Sequence, residues 1–176
     1  MKGIALVGPA GVGKTSVGKV VSHMLGYPFI DLDQEIVHDT GLTIAEIFAT
    51  GGETQFRKSE YNSLVRVTHL TADSPCILAT GGGLVVSPEC RHLLREQWTV
   101  VFLHGSVDTL LTHLDVEGLR TRPLLSGEEN VAIKVSQMWE QRRSLYEQVA
   151  AYTIQVDHLT PEDVAKDIIA YVDNLL

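Results

Sequence analysis

The chain is poor in cysteine, in positive charge and in long apolar runs, and each shortage removes a class of protein. Cys76 and Cys90 are the only cysteines in 176 residues, too few for the disulfide framework of a small secreted domain. Cys76 opens an apolar run and reads as a small buried hydrophobe, so a reducing cytoplasm is the expected setting. Lysine and arginine number 14 against 22 acids, a formal net charge of -8. A surface of that sign is not built to neutralise the phosphates of duplex nucleic acid. No stretch approaches the roughly 20 apolar residues that cross a bilayer. The first apolar run is broken by Gly8-Pro9, too soon for a signal peptide. The seven histidines are scattered without zinc-type spacing. Repeats, low-complexity tracts and interdomain linkers are missing too. What remains is one domain over residues 1–176, with 44% apolar residues to fill its core. No nucleic-acid or membrane partner is expected, and the chain is expected to be a monomer.

What is present begins at the N-terminus. Gly8-Pro-Ala-Gly-Val-Gly-Lys14-Thr15 fits G-x-x-x-x-G-K-[ST], a loop that cradles the phosphates of a nucleotide. Its surroundings agree with its letters. Ile4–Val7 before it is a short strand-like run. Val17, Val20, Val21, Met24 and Leu25 after it mark one face of a helix. Glycines allow close backbone approach to a ligand, and loop amides at a helix start attract an anion. Lys14 is expected on the β- and γ-phosphates and the Thr15 hydroxyl on Mg²⁺.

Further strand-like runs cover Pro28–Leu32, Cys76–Thr80, Thr99–Leu103 and Tyr152–Val156, with helical patterns between them. Thr43-Ile-Ala-Glu46 is a capping-box signature. Ser87-Pro88 and Thr160-Pro161 each set a cap residue before a first-turn proline. Val131, Val135, Met138, Trp139, Leu145, Tyr146 and Val149 form a helical stripe that reads as core packing. Alternating strands and helices predict a parallel sheet covered on both faces. Glu117–Asn130, with Gly118, Pro123 and Gly127, is expected to be a mobile loop.

Three further features bear on what receives the phosphate. Asp31 and Asp33 end the second strand-like run, where alternation sets both carboxylates on one side. That strand end belongs beside the phosphate loop. One acid there can hold water on Mg²⁺ while the other faces the acceptor, and two solvated acids fit the spacing equally well. Gly81, Gly82 and Gly83 allow close approach to a ligand or form a flexible connector. Arg57, Arg122 and Arg142 carry planar forks suited to carboxylate and phosphate, although any one of them alone fits a solvated surface role.

Taken together, these residues resemble the shikimate kinase family over nearly the whole chain. The likeness runs through the phosphate loop, Phe29-Ile-Asp31-Leu-Asp33 with Glu35-Ile36, and Ile47-Phe48 before Gly52-Glu53. It continues through Phe56-Arg57 with Glu60, the Gly81–Gly83 triplet, Arg122-Pro123-Leu124-Leu125, and Arg142 four residues before Tyr146. The resemblance implies an α/β three-layer sandwich, a five-stranded parallel sheet of order 2-3-1-4-5, and a mobile lid over about 117–130. It implies ATP-dependent phosphorylation of the 3-hydroxyl of shikimate, with ATP and shikimate as partners and Mg²⁺ as cofactor. By the same resemblance, Asp33 binds and orients the acceptor hydroxyl and, with Lys14 and Arg122, forms the catalytic set. Gly11, Val12, Gly13, Lys14, Thr15, Ser16 and Arg122 bind the nucleotide. Asp33, Arg57, Gly81, Gly82, Gly83 and Arg142 bind the acceptor, the two arginines on its carboxylate. Thr15 holds Mg²⁺, as does Asp31 through water.

One position departs from the family. Where an arginine that stacks on adenine stands at the start of the lid, this chain has Asp115, with Arg120 shifted along the chain. Adenine is therefore expected to be held loosely. Two rival readings stand beside shikimate. One is another small-molecule kinase of this fold, acting on gluconate or a nucleoside. The other is a nucleotide-binding module without catalysis, against which an intact Lys14, Asp31, Asp33 and Arg122 speak.

Overall fold

The structure, a computed structural model, describes residues 2–114 and 131–175. Five parallel strands make one sheet: β1 (Gly3–Val7), β2 (Phe29–Asp31), β3 (Ile77–Ala79), β4 (Trp98–His104) and β5 (Tyr152–Gln155), in the order β2-β3-β1-β4-β5. This is the expected strand order. The helices are α1 (Lys14–Leu25), α2 (Leu32–Thr40), α3 (Ile44–Leu70), α4 (Pro88–Gln97), α5 (Val107–His113), α6 (Val131–Val149) and α7 (Pro161–Asp173), with a 3-10 turn at Leu84–Val86. The Glu117–Asn130 loop, Arg122, Asp115 and Arg120 lie outside the described residues.

Each central strand is apolar on both faces, as a parallel sheet sandwiched between helices demands. Ala5 and Val7 of β1, with Val100 and Phe102 of β4, face one core beside Ile36, Leu64, Leu94 and Tyr146. Ile4, Leu6, Val101 and Leu103 alternate with them and face the other core, beside Val17, Val21, Leu110 and Ile168. A one-residue slip in register would exchange these two sets. Ala5 pairs with Leu78 of β3 and with Val100 of β4, which fixes β1 at the centre.

The helix starts were readable. Thr43 and Glu46 form a reciprocal capping box on α3, and Thr160 and Asp163 form one on α7. Ser87 accepts from Cys90 N at the head of α4. Two expectations are corrected. Met24 does not share the buried face of α1 and is 47% exposed. The buried stripe runs instead through Lys14, Val17, Gly18 and Val21, the i, i+3, i+4 and i+7 positions of the face turned to the sheet. Asp33 is not on a strand: β2 stops at Asp31, which accepts from Asp33 N and caps α2.

α3 is broken at Gly52 (φ 66°, ψ −167°), a conformation open to glycine and costly for other residues. The break lets Ile44–Gly51 and the segment carrying Arg57 and Glu60 take different directions. Phe102 is the aromatic centre of the core it shares with Tyr146 and Trp139, stacked on the first at 5.1 Å and tilted against the second at 6.1 Å. Phe102→Ala is expected to remove about 3–5 kcal/mol of stability. Urea unfolding checks it; a loss below about 1 kcal/mol would show that this stack carries little of the packing.

Candidate active site

The strand order reverses at β1, and in open α/β sheets ligands bind beyond the carboxyl ends of strands at such a point. The loop after β1 turns through Gly11 and Gly13, both at positive φ (85° and 95°). Gly11 also packs closely: a Cβ there would stand 2.7 Å from the Leu110 carbonyl oxygen. Gly13 caps α1 without a side-chain cap bond, so the first amides of the helix are left for an anion. Lys14 Nζ donates to the carbonyls of Gly8 and Pro9, both at 2.8 Å. The ammonium is thereby drawn over its own loop with only 8% of the residue exposed. Val12 is buried at 2% exposed, so only its backbone can serve a nucleotide. Thr15 and Ser16 are exposed.

Beside this loop lies a cleft of about 220 Å³ lined by Gly13, Lys14, Thr15, Asp31, Asp33 and Gly81, among others. The Thr15 hydroxyl donates to Asp31 Oδ2 at 3.1 Å, while Asp31 Oδ1 accepts from Asp33 N. Asp31 therefore links the phosphate loop to the head of α2, and Asp33 leaves the first turn of that helix at the cleft. The hydroxyl and carboxylate are hard oxygen donors of the kind that suits Mg²⁺. No cluster of three or more His, Cys, Asp or Glu residues able to hold a metal occurs among the described residues. An ion here thus needs phosphate oxygens and water to complete its shell, the usual habit of Mg²⁺ with nucleotides.

The far end of the cleft, where the acceptor is expected, is organised around Gly81–Gly83. A Cβ on Gly81 would meet Glu60 Oε1 at 2.8 Å and Asp33 Oδ1 at 3.1 Å. One on Gly82 would meet Ala10 N of the phosphate loop at 3.0 Å, and one on Gly83 would meet an Arg57 guanidinium nitrogen at 2.2 Å. The Gly82 carbonyl accepts from Tyr146 OH at 2.5 Å and a longer contact from Arg142 at 3.5 Å. Asp33, Arg57 and Arg142 are thus gathered about one strip of bare backbone.

Arg57 is held by Glu53 at 3.0 Å and Glu60 at 2.6 Å, with its guanidinium carbon 5.2 Å from the centre of the Phe56 ring. Burial works against its charge, but the two carboxylates outweigh burial, and its pKa lies above the ordinary arginine value. Burial pushes the Glu60 carboxyl up to about 7 against the pull of Arg57. Burial likewise raises the Tyr146 phenol, despite Arg142 nearby. Arg143, next in sequence to Arg142, pairs instead with Glu147 on the surface.

Three participants were not singled out as site residues from the sequence. Glu60 appeared only as part of a motif, and Tyr146 was read as core. His113 was given no role, yet it lines the cleft and its Nδ1 donates to the Gly11 carbonyl at 2.9 Å. Only the fold brings these residues to the loops they touch. Arg122 lies outside the described residues.

Comparison with known proteins agrees with this geometry. The family model for shikimate kinase matches residues 10–173. The shikimate kinase of Alkaliphilus oremlandii is 36% identical over 98% of this chain and 99% of its own length. That of Symbiobacterium thermophilum is 38% identical over 94% of this chain and 92% of its own. The solved structure of shikimate kinase from Acinetobacter baumannii in complex with shikimate superposes with a TM-score of 0.92 at 36% identity, covering 99% of this chain and 94% of that one. With the family matched along almost all of its length and the strand order, phosphate loop and glycine strip in place, the chain belongs to the shikimate kinase family.

Proposed function

We propose that this chain transfers the γ-phosphoryl group of ATP to the 3-hydroxyl of shikimate, yielding shikimate 3-phosphate and ADP. The observation that carries the reading is the pairing of Arg57 and Arg142 about the glycine strip, one cleft away from Lys14. An acidic protein that brings two arginines to one strip of bare backbone is suited to grip an anion there, and a planar fork suits a carboxylate. Asp33, at the head of α2 and beside Gly81, is the group for the acceptor hydroxyl.

Phosphoryl transfer asks little covalent work of the protein; it asks for positioning and neutral charge balance. The acceptor oxygen forms a bond to phosphorus as the bond to the ADP oxygen breaks, and the hydroxyl proton passes toward Asp33. The amides of Gly11–Ser16 hold the phosphates. Lys14 exchanges its two carbonyl partners for phosphate oxygens and neutralises the charge that gathers on them. Thr15, and Asp31 through water, would hold Mg²⁺, which would add further neutralisation of the phosphate charge. Arg122 is assigned to the phosphates on the sequence resemblance alone. A cytoplasmic monomer fits the composition, and none of the described helices is long and apolar enough to cross a membrane.

ADP release tests the reading, measured with shikimate, quinate, gluconate and nucleosides against a control without acceptor. Release dependent on shikimate is expected. Release with gluconate or a nucleoside alone would move the chain to another small-molecule kinase activity, and binding of ATP without any acceptor-dependent release would mark a non-catalytic module. Asp33→Asn keeps the shape and removes the charge; turnover is expected to fall by roughly 10²–10⁴-fold with ATP binding nearly intact. A rate within a fewfold of the parent would leave positioning alone to explain catalysis. Arg57→Ala and Arg142→Ala are each expected to weaken shikimate binding about ten- to a hundredfold, the worth of a charge-assisted contact, while sparing ATP. Titrations showing shikimate affinity unchanged in both variants would return these arginines to a structural role.

A further inference from the structure

The acceptor end of the cleft holds a carboxyl group that the reaction described above does not use. Glu60 lies one turn beyond Arg57 on α3 and is 0% exposed. Its Oε2 accepts from Arg57 at 2.6 Å. Its Oε1 is buried and has no hydrogen-bond partner among the described residues. A Cβ on Gly81 would touch both it and Asp33 Oδ1, so it looks onto the same part of the glycine strip as Asp33. A buried carboxylate oxygen left unpaired is costly and uncommon.

We propose that Glu60 takes up a proton on Oε1 when the acceptor's carboxylate binds Arg57, so that acceptor binding and protonation of Glu60 are one coupled event. This rests on the reading that Arg57 grips that carboxylate.

The charges around Glu60 make the coupling follow. On its own helix stand Arg57 and, beyond it, Glu53. Asp33 faces it from α2, Arg142 and Tyr146 from α6, and Cys90 from α4. Burial raises the thiol of Cys90 to about 11 and also raises the phenol of Tyr146, so neither carries charge at neutral pH. Burial and Asp33 favour the neutral acid at Glu60, and Arg57 and Arg142 favour the carboxylate, with the balance near pH 7. An incoming carboxylate draws on both arginines and adds negative charge beside them. Both effects move Glu60 toward the acid. The proton comes from solvent, no electrons move, and the new O–H on Oε1 becomes a donor beside Gly81 and Asp33 where a lone acceptor oxygen stood before.

The sign follows from linkage. A group with a higher pKa in the complex than in the free protein binds a proton on complex formation, so acceptor affinity falls as pH rises through the free-protein value. Shikimate affinity is expected to be flat below about pH 6 and to fall about tenfold by about pH 9 if the pKa rises by one unit on binding. Glu60 is thus a positioning residue, acting through Arg57 and through the charge of the pocket.

Isothermal titration of the full chain with shikimate near pH 7.5, in phosphate and in Tris buffer, counts the protons exchanged. Net uptake of a substantial fraction of a proton is expected in the parent. Glu60→Gln, a neutral isostere of the acid, should abolish the uptake and flatten the pH dependence while keeping affinity close to the parent's low-pH value. Zero uptake in the parent overturns the proposal whatever the fate of the variant. Uptake that persists in Glu60→Gln assigns the proton to another group, Asp33 foremost, and overturns it as well. Weakening at every pH with an unchanged proton count would show a purely structural role. Arg57→Ala separates the layers. Unchanged affinity there removes the clamp and the coupling together, whereas weakened affinity alongside zero uptake in the parent removes the coupling alone.

Discussion

A side chain anywhere from Gly81 to Gly83 would crowd Glu60, Asp33, the phosphate loop or Arg57, and the arrangement of the site depends on that bare backbone. A methyl group at each position would strike a different functional element: Glu60 and Asp33 at the first, the phosphate loop at the second, Arg57 at the third. The strip leaves β3 beside the central β1 and is anchored there by Thr80, whose N–H and hydroxyl both donate to the Leu6 carbonyl. From the far side Tyr146 holds the Gly82 carbonyl, and Tyr146 is itself stacked on Phe102 of β4. A chain of contacts thus connects the packing of the sheet to the separation between donor and acceptor sites. Phosphoryl transfer is sensitive to that separation, because it is governed by alignment more than by covalent participation.

The electrostatics follow the same division. On the proposed nucleotide side the Lys14 ammonium is kept close to the loop by the carbonyls of Gly8 and Pro9, contacts that the proposal has it trade for phosphate oxygens. On the acceptor side Arg57 lies between two carboxylates, so its charge is balanced before any ligand arrives. On the proposed reading, a substrate carboxylate arriving there exchanges partners with Glu53 and Glu60 and does not fill a bare positive site.

Much of this was legible in the chain. Apolar runs of four or five residues separated by amphipathic stretches can satisfy their backbones and bury both faces only as a parallel sheet between helices. The capping signatures at Thr43, Ser87 and Thr160 appear where local side-chain chemistry alone decides a helix start. The phosphate loop was readable because its function is carried by contiguous backbone. Asp31 and Asp33 do share one cleft beside the phosphate loop, but not by strand alternation: Asp31 accepts from Asp33 N and caps a helix that begins at Leu32. Glu60, Tyr146 and His113 stayed unread for another reason. Their roles come from contacts with Gly81, Gly82 and Gly11 that are remote in sequence, and a buried acid on a helix has no local pattern to distinguish it from a solvated one.

On the proposed reading a single cleft at the strand ends holds the phosphates over α1 and a hydroxylated carboxylic acid over the glycine strip, with Asp33 between them. A crystal structure of the chain with ADP and shikimate bound tests it most directly. The expected result places the shikimate carboxylate between Arg57 and Arg142, its 3-hydroxyl within hydrogen-bond reach of Asp33 (about 2.6–3.2 Å), and the ADP β-phosphate on the Gly11–Ser16 amides. A shikimate carboxylate bound away from both arginines, or a 3-hydroxyl turned away from Asp33 and the phosphates, would contradict it.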